Sequence, residues 1–215
     1  MGSAAVLVNF SMRAFMHYAI QHQSVFHPHL AMTARKKMLK SVLLRVEQGL
    51  VLLRLGKKEY ALEPGQCAWL PFDCLCAITY LPNTRLQSIE LSSRVRLPMP
   101  EGSGYVLQSE LCQTIIDRLA KTDTPDTLKA DLLQVLRHEI SNLKPTLTSS
   151  SLSQKISQWQ PGESSKLSKE MQLTLLMREV KKRQLSGIRK DAVIQDLFAG
   201  DEAAYTQAFS AVFGE

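Results

Sequence analysis

The chain has no apolar run near the roughly 20 residues that a helix needs to cross a bilayer, so no membrane partner is expected. Ala4–Val8 is apolar, but it is short and lacks a basic stretch before it, which excludes a secretory signal and makes the cytoplasm the expected location. Cysteine is scarce. Cys67, Cys74, Cys76 and Cys112 show no zinc-type spacing, and Cys74-x-Cys76 lacks a second pair while falling on one face of a strand, so all four read as core thiols. No nucleophile–base arrangement, Gly-rich phosphate loop or paired-carboxylate motif is present. The chain therefore reads as a non-enzyme that needs no cofactor. Basic residues are missing from 191–215, which hold five acidic side chains.

What is present suffices for one large or two small globular domains: 215 residues, 45% hydrophobic and 21% charged. The formal charge of +6 is unevenly spread. Residues 1–98 carry twelve basic and five acidic side chains, and 150–190 carry nine and three. Phosphate contacts are accordingly expected from 150–190 and not from the acidic C-terminal stretch.

The first 40 residues, with Phe10, Phe15, Tyr18, Phe26 and His17, His22, His27 and His29, read as an extended leading segment or early strands. From Val42 the pattern is β. Val42–Val46, Leu50–Leu55, Glu59–Leu62, Cys67–Leu70, Cys74–Tyr80 and Arg85–Leu91 are short apolar runs separated by Gly56-Lys57-Lys58, Glu63-Pro64-Gly65-Gln66, Pro71-Phe72-Asp73 and Leu81-Pro82-Asn83. Strands at that spacing predict a β-sandwich or small barrel. Pro98 to Gly104 is dense in Pro and Gly and marks a boundary, beyond which only helices are expected. Leu107, Leu111, Ile115 and Leu119 form one apolar stripe, and Leu128, Leu132, Leu136, Ile140 and Leu143 a longer one. Lys144–Ser151 reads as a linker. Leu152, Ile156 and Trp159, then Leu167 and Met171, give two further helical faces about Pro161-Gly162. In Asp191–Glu215, Val193, Ile194, Leu197 and Phe198 precede a break at Ala199-Gly200-Asp201. Asp201 can cap a last helix carrying Tyr205, Ala208, Phe209, Val212 and Phe213.

That last stretch resembles the second helix-turn-helix of the AraC/XylS family of transcription regulators. Val193-Ile194, Asp201, Tyr205, Ala208-Phe209 and Phe213-Gly214 match the family's pattern, while Phe198-Ala199 stands where the family has Gly-Phe. Leu62-Glu63-Pro64-Gly65-Gln66 followed by Ala68-Trp69-Leu70-Pro71 is similar to the cupin-type sensor domain of such regulators. Pro161, Ser165, Leu167-Ser168-Lys169 and Met171 resemble the first helix-turn-helix, and the connection to Val193 is about a dozen residues shorter than usual. The implied fold class is α+β: a cupin-like β-barrel over 1–98, a helical dimerisation or linker segment over 99–149, and a helix-turn-helix unit over 150–215. Helices in the middle segment pair two subunits in the family. Here that remains open against folding back on their own barrel.

The resemblance implies a ligand-responsive regulator that binds double-stranded DNA, forms a homodimer, and meets RNA polymerase or another regulator. Ser164, Ser165, Lys166, Ser168 and Lys169 would present hydroxyls and ammonium groups at a helix N-terminus. Arg178, Lys181, Lys182, Arg183, Arg189 and Lys190 would supply phosphate contacts, against the ordinary alternative of a solvated helix face. Thr206 and Gln207 could bond base edges, yet the last helix opens with Asp201-Glu202 and carries no cation. It is therefore expected to have lost most DNA contact and to pack or touch a protein. Metal-binding cupins use two His, a Glu and a third His. His27-Pro28-His29 imitates the first pair, no Glu follows at the right distance, and no metal is expected. Arg54, Trp69, Tyr80 and Arg85 are candidates for a small-molecule effector pocket, each equally a core or rim residue. A rival reading is a degenerate relative that works as a protein-interaction or ligand-sensing module without DNA.

Overall fold

The computed structural model describes residues 19–214; Ala4–Val8, Phe10, Phe15, His17 and Tyr18 lie outside them. Ten strands and six helices follow one another along the described chain. The strands are β1 (Ile20–His27), β2 (Ala31–Met32), β3 (Lys36–Lys37), β4 (Lys40–Gln48), β5 (Val51–Leu55), β6 (Lys58–Leu62), β7 (Cys67–Leu70), β8 (Leu75–Tyr80), β9 (Thr84–Ser92) and β10 (Gly104–Val106). The helices are α1 (Glu110–Leu119), α2 (Asp126–Ser141), α3 (Ser151–Gln158), α4 (Lys169–Leu185), α5 (Lys190–Phe198) and α6 (Glu202–Phe213).

The strands form two facing antiparallel sheets. One runs β1-β9-β4-β7-β10 and the other β2-β8-β5-β6, with β3 also paired to β8. Successive strands β4 and β5 enter opposite sheets. The later strands β7 and β9 return to flank β4, while β6 and β8 flank β5. This is jelly-roll wiring.

Strand periodicity divides the core into layers. Val42, Leu44 and Val46 of β4, Val51, Leu53 and Leu55 of β5, Ala68 and Leu70 of β7, and Leu86 of β9 fill the space between the sheets. The alternate residues point outward, and on both sides they are buried beneath helices. Leu43, Cys67, Trp69, Ile89 and Leu91 pack under Cys112, Ile115, Ile116 and Leu119 of α1 and Leu136 and Ile140 of α2. On the other side Leu50, Leu52 and Ala61 meet Ile156 of α3, Leu167 and Leu175. Burial on both faces explains why these strands read as near-continuous apolar runs.

Two features correct the sequence expectations. The segment after Pro98 is not wholly helical: Gly104–Val106 pairs with Trp69–Cys67 and extends the first sheet. A Cβ at Gly104, whose φ is +148°, would lie 2.3 Å from the Thr146 carbonyl oxygen, so glycine is required where Tyr105 and Thr146 form a bridge. That bridge also ties the expected 144–151 linker to the sheet edge. The α1–α2 pair folds back on its own sandwich through the cluster just described.

Candidate nucleic-acid interface

Helices α3 and α4 lie on the outer face of the β5–β6 side, α5 and α6 pack on α4 and on Leu30 and Met32, and polar contacts fasten the unit. Strand β6 ends its sheet, and an edge strand presents unpaired backbone groups. The Ser153 hydroxyl of α3 accepts a hydrogen bond from the Ala61 N–H at 2.9 Å, and the Tyr105 hydroxyl donates to the Ala61 carbonyl at 2.8 Å. Deeper along α4, Arg178 reaches Glu59 of β6 in a two-pronged pair, both bonds 3.0 Å. Their side chains are 7% and 16% exposed, so this pair is closed to solvent. At the far end the Leu30 N–H donates to the Val212 carbonyl of α6 at 2.9 Å. The His29 ring sits where a Cβ on Gly214 would fall 2.2 Å from its Nε2.

The helices themselves split into two units of different quality. Helix α5 closes on Ala199 in the left-handed region (φ 51°), Gly200 follows at φ 83°, and the Asp201 carboxylate accepts from the Ala204 N–H to cap α6. This is a tight helix-turn-helix, as Asp191–Glu215 predicts. Tyr205, Ala208 and Val212 of α6 are buried with Val193, Ile194, Met177 and Val180, which turns Thr206 and Gln207 outward. The Thr206 hydroxyl donates to the Glu202 carbonyl of its own helix at 2.8 Å. A cleft of about 250 Å³ beside Thr206 is lined by Gln184, Lys190, Tyr205, Phe209 and Ser210.

The first unit is not a tight helix-turn-helix. Residues 159–168 form a loop between α3 and α4. Ser164, Ser165 and Lys166 lie in it and not at a helix N-terminus, which corrects their expected placement. Only Ser168, the N-cap that accepts from the Met171 N–H, and Lys169 sit at the start of α4. Ser164, Lys166, Ser168 and Lys169 are exposed, while Ser165 is half-buried and accepts from the Leu167 N–H. Gln154, Lys155 and Trp159 join Ser164, Ser165 and Lys166 around a cleft of about 360 Å³.

The six cations placed along 178–190 do not form an open basic face. Arg178 is buried on Glu59 and is withdrawn from phosphate. Arg183 bonds both Glu179 and Asp196, which holds its guanidinium above its ordinary pKa, the Asp196 bond first. Lys182 lies 4.0 Å from Glu179, and its pKa is lowered by burial and next by the charge of Arg178. Arg189 pairs with Asp191 at the surface. Lys181 sits over the rings of Phe209 and Phe213, at 6.0 and 5.4 Å, and Lys190 over Tyr205 at 5.1 Å. A sequence count of charge registers all six equally; their partners lie on other elements. The cations of 150–190 that make neither an ion pair nor a ring contact among the described residues are Lys155, Lys166 and Lys169.

The four expected effector-pocket residues do not converge. Trp69 shares its face of β7 with Cys67, is fully buried beneath α1 and α2, and donates from Nε1 to the Pro100 carbonyl at 2.9 Å. Arg54 alternates with Leu53 and Leu55 and so points out of the sandwich. Arg85 lies on the outer side of β9, 5.2 Å over the Phe26 ring. Tyr80 alone packs against the interior cluster, at its rim. It stacks on His27 at 4.1 Å, and burial pushes its hydroxyl up to about 12. Neither His27, held by this stack, nor His29 is part of a three-ligand group, and among the described residues no such group of His, Cys, Asp and Glu forms.

Three of the thiols are core residues, Cys67 being pushed up to about 12 by burial. Cys74 is the exception. It is half-buried, and the neighbouring Cys76 thiol draws its pKa down against desolvation, with the Ser103 hydroxyl adding to the pull.

Sheets and helices together define an α+β chain, a cupin-like jelly-roll sandwich carrying a helical unit that ends in a helix-turn-helix. No family model matches the chain, and no curated protein matches it. Among solved structures it is similar to a cupin-superfamily protein from Desulfitobacterium hafniense, with 15% identity and a TM-score of 0.33 over 35% of this chain and 69% of that one. ToxT from Vibrio cholerae is 8% identical, with a TM-score of 0.38 over 92% of this chain and 96% of its own. A cupin-2 domain protein from Shewanella frigidimarina is 14% identical, with a TM-score of 0.31 over 36% and 74%. The fold assignment rests on the strand order and register given above. Among the described residues no helix is long and apolar enough to cross a membrane.

Proposed function

We propose that the chain is a DNA-binding transcription regulator whose helix-turn-helix unit is carried docked on a cupin-like sensor. The observation that supports this most is α6. It is seated by one apolar face, capped by Asp201 and led in by the left-handed Ala199-Gly200 turn, with Thr206 and Gln207 directed outward. Neutral polar groups of that kind suit base edges in a major groove. Cations for the phosphates come from around the α3–α4 loop, with Lys155 on α3, Lys166 in the loop and Lys169 at the start of α4, beside the exposed hydroxyls of Ser164 and Ser168. Helix α4 has 17 residues and so is roughly 25 Å long, less than the ~34 Å between successive turns of a duplex. That favours a single recognition unit over two in successive grooves.

Ligand response is assigned to the sandwich, with the rim beside Tyr80 and His27 as the approach to an otherwise filled interior. Dimerisation is assigned to α1–α2, where Leu111, Leu128 and Val135 stay exposed after the inner faces are buried. Selection of bound sequences from a randomised duplex pool tests the regulator reading. An enriched motif that is lost in Thr206→Ala/Gln207→Ala supports α6 as the reader. Enrichment unchanged by that variant assigns reading elsewhere, and no enrichment rejects sequence-specific binding.

A second reading has its own observation. Most cations of 178–190 are occupied by intramolecular partners, and α5–α6 is acidic. Both favour a protein-interaction module, with RNA polymerase or another regulator as the partner class.

A further inference from the structure

One end of the sandwich, far in sequence from the helical unit, carries three exposed large apolar side chains within a field of cations. Leu39 is 77% exposed, Phe72 51% and Leu75 45%. They project from adjoining backbone. The Met38 N–H donates to the Cys74 carbonyl and the Asp73 N–H to the Met38 carbonyl, both at 2.9 Å. The Phe72 N–H donates to the Ser41 hydroxyl at 2.9 Å, and Lys37 lies opposite Leu75. Adjoining exposed apolar groups rimmed by charged ones mark an interaction site.

The cations adjoin the same backbone. Lys36 lies opposite Cys76, which lies opposite Leu55 at the β5–β6 turn, and Leu55 lies opposite Lys58. Arg35 reaches the Gly56 carbonyl of that turn with Nη2 at 3.3 Å, and Lys57 follows Gly56. Arg35, Lys36, Lys57 and Lys58 are all exposed and make no ion pair among the described residues. The anion at the tip, Asp73, is met by Lys37 at 2.8 Å. The end is therefore strongly positive as well as apolar.

We infer that this end of the sandwich binds an anionic membrane surface, with Leu39, Phe72 and Leu75 entering the headgroup–acyl boundary while Arg35, Lys36, Lys57 and Lys58 meet lipid phosphates and carboxylates. The pairing of the two features selects this occupant. A duplex would engage the cations but offers nothing to three apolar side chains, and an amphipathic helix needs a groove whereas these groups stand on turns. Lipid surfaces take both, and reversible attachment commonly needs both signals. The inference does not rest on the regulator reading.

Co-sedimentation of the full chain with vesicles of phosphatidylcholine alone, and of phosphatidylcholine with phosphatidylserine, tests it. Binding is expected only to the second kind. Each cation near an anionic surface strengthens attachment roughly fivefold, so Lys36→Glu/Lys57→Glu is expected to weaken it by more than about tenfold. Leu39→Ser/Phe72→Ser, which keeps every charge, should leave only attachment that moderate salt abolishes. Equal binding to both vesicles, or to neither, overturns the inference. So does a result in which the Lys-to-Glu variant loses duplex DNA binding while no vesicle is bound, since the cations would then belong to a nucleic-acid face.

Discussion

The buried fork between Arg178 of α4 and Glu59 of β6 joins residues 119 apart in sequence and ties the helical unit to the sandwich. Replacing Glu59 by Gln leaves a guanidinium whose side chain is 7% exposed without its anion. Its Nε already has no hydrogen-bond partner among the described residues. Removing one member of a buried pair costs about 3–5 kcal/mol, because the remaining charge stays desolvated. Arg178→Met should cost less than Glu59→Gln, because Glu59 is more exposed at 16% and the ammonium of Lys182 is close enough to feel its charge. The double variant Glu59→Leu/Arg178→Met should recover most of the loss, since a buried ion pair replaced by apolar groups of similar volume is commonly neutral or better. The assay is urea unfolding of the three variants beside the parent. In a domain of this size about 3 kcal/mol also lowers Tm by roughly 6–12 °C. A Glu59→Gln variant within about 0.5 kcal/mol of the parent would refute the claim that this pair is closed to solvent and fastens the helical unit.

Three further outcomes follow from local geometry. Ser153→Ala should cost about 1–3 kcal/mol, since the buried Ala61 N–H loses its acceptor; denaturant unfolding measures it, and faster amide exchange at Ala61 would locate it. Ala199→Gly should raise stability by about 1 kcal/mol, because Ala199 sits at φ 51° where a Cβ is strained; an unchanged or lower Tm would argue that the left-handed turn is not formed. His22 and His27 are both held below the ordinary imidazole value, chiefly by burial, with the Gln87 hydrogen bond opposing it at His22. The unfolded chain thus takes up these protons more readily, and stability is full above about pH 6.5 and falls as pH drops below it. A urea midpoint that rises on acidification through that range would contradict this.

The strands from Val42 to Leu91 were legible because each apolar run is short and bounded by Gly- or Pro-containing turns, and the observed bounds of β4 to β9 follow those runs closely. The cap Asp201 was legible as well, as an Asp before an apolar-periodic run. Strand β10 was not. Three residues give no periodicity, and the Pro- and Gly-dense stretch from Pro98 to Gly104 reads as a boundary. The outward face of Trp69 was within reach of the sequence, since Ala68 and Leu70 on either side are the residues that face the interior. What no local pattern carries is the fate of the cations. Arg178 is basic in the same way as Lys169 until Glu59 folds over it, and Lys181 and Lys190 find their aromatic faces only when α6 returns onto α4 and α5. Charge counted along the chain therefore treats as equal six cations that the fold hands to different partners, whereas Lys155, Lys166 and Lys169 remain exposed.

The most direct test of the regulator reading is fluorescence anisotropy of the full chain with random-sequence duplex DNA across a salt series. Lys155, Lys166 and Lys169 as phosphate contacts predict binding whose log K falls with log salt, with a slope near −0.9 per contact, about −2 to −3 in all. Lys166→Ala and Lys169→Ala should each reduce that slope by about 1, and Arg178→Met should leave it unchanged. No binding even at the lowest salt would contradict the reading and leave the helical unit as a surface for protein partners.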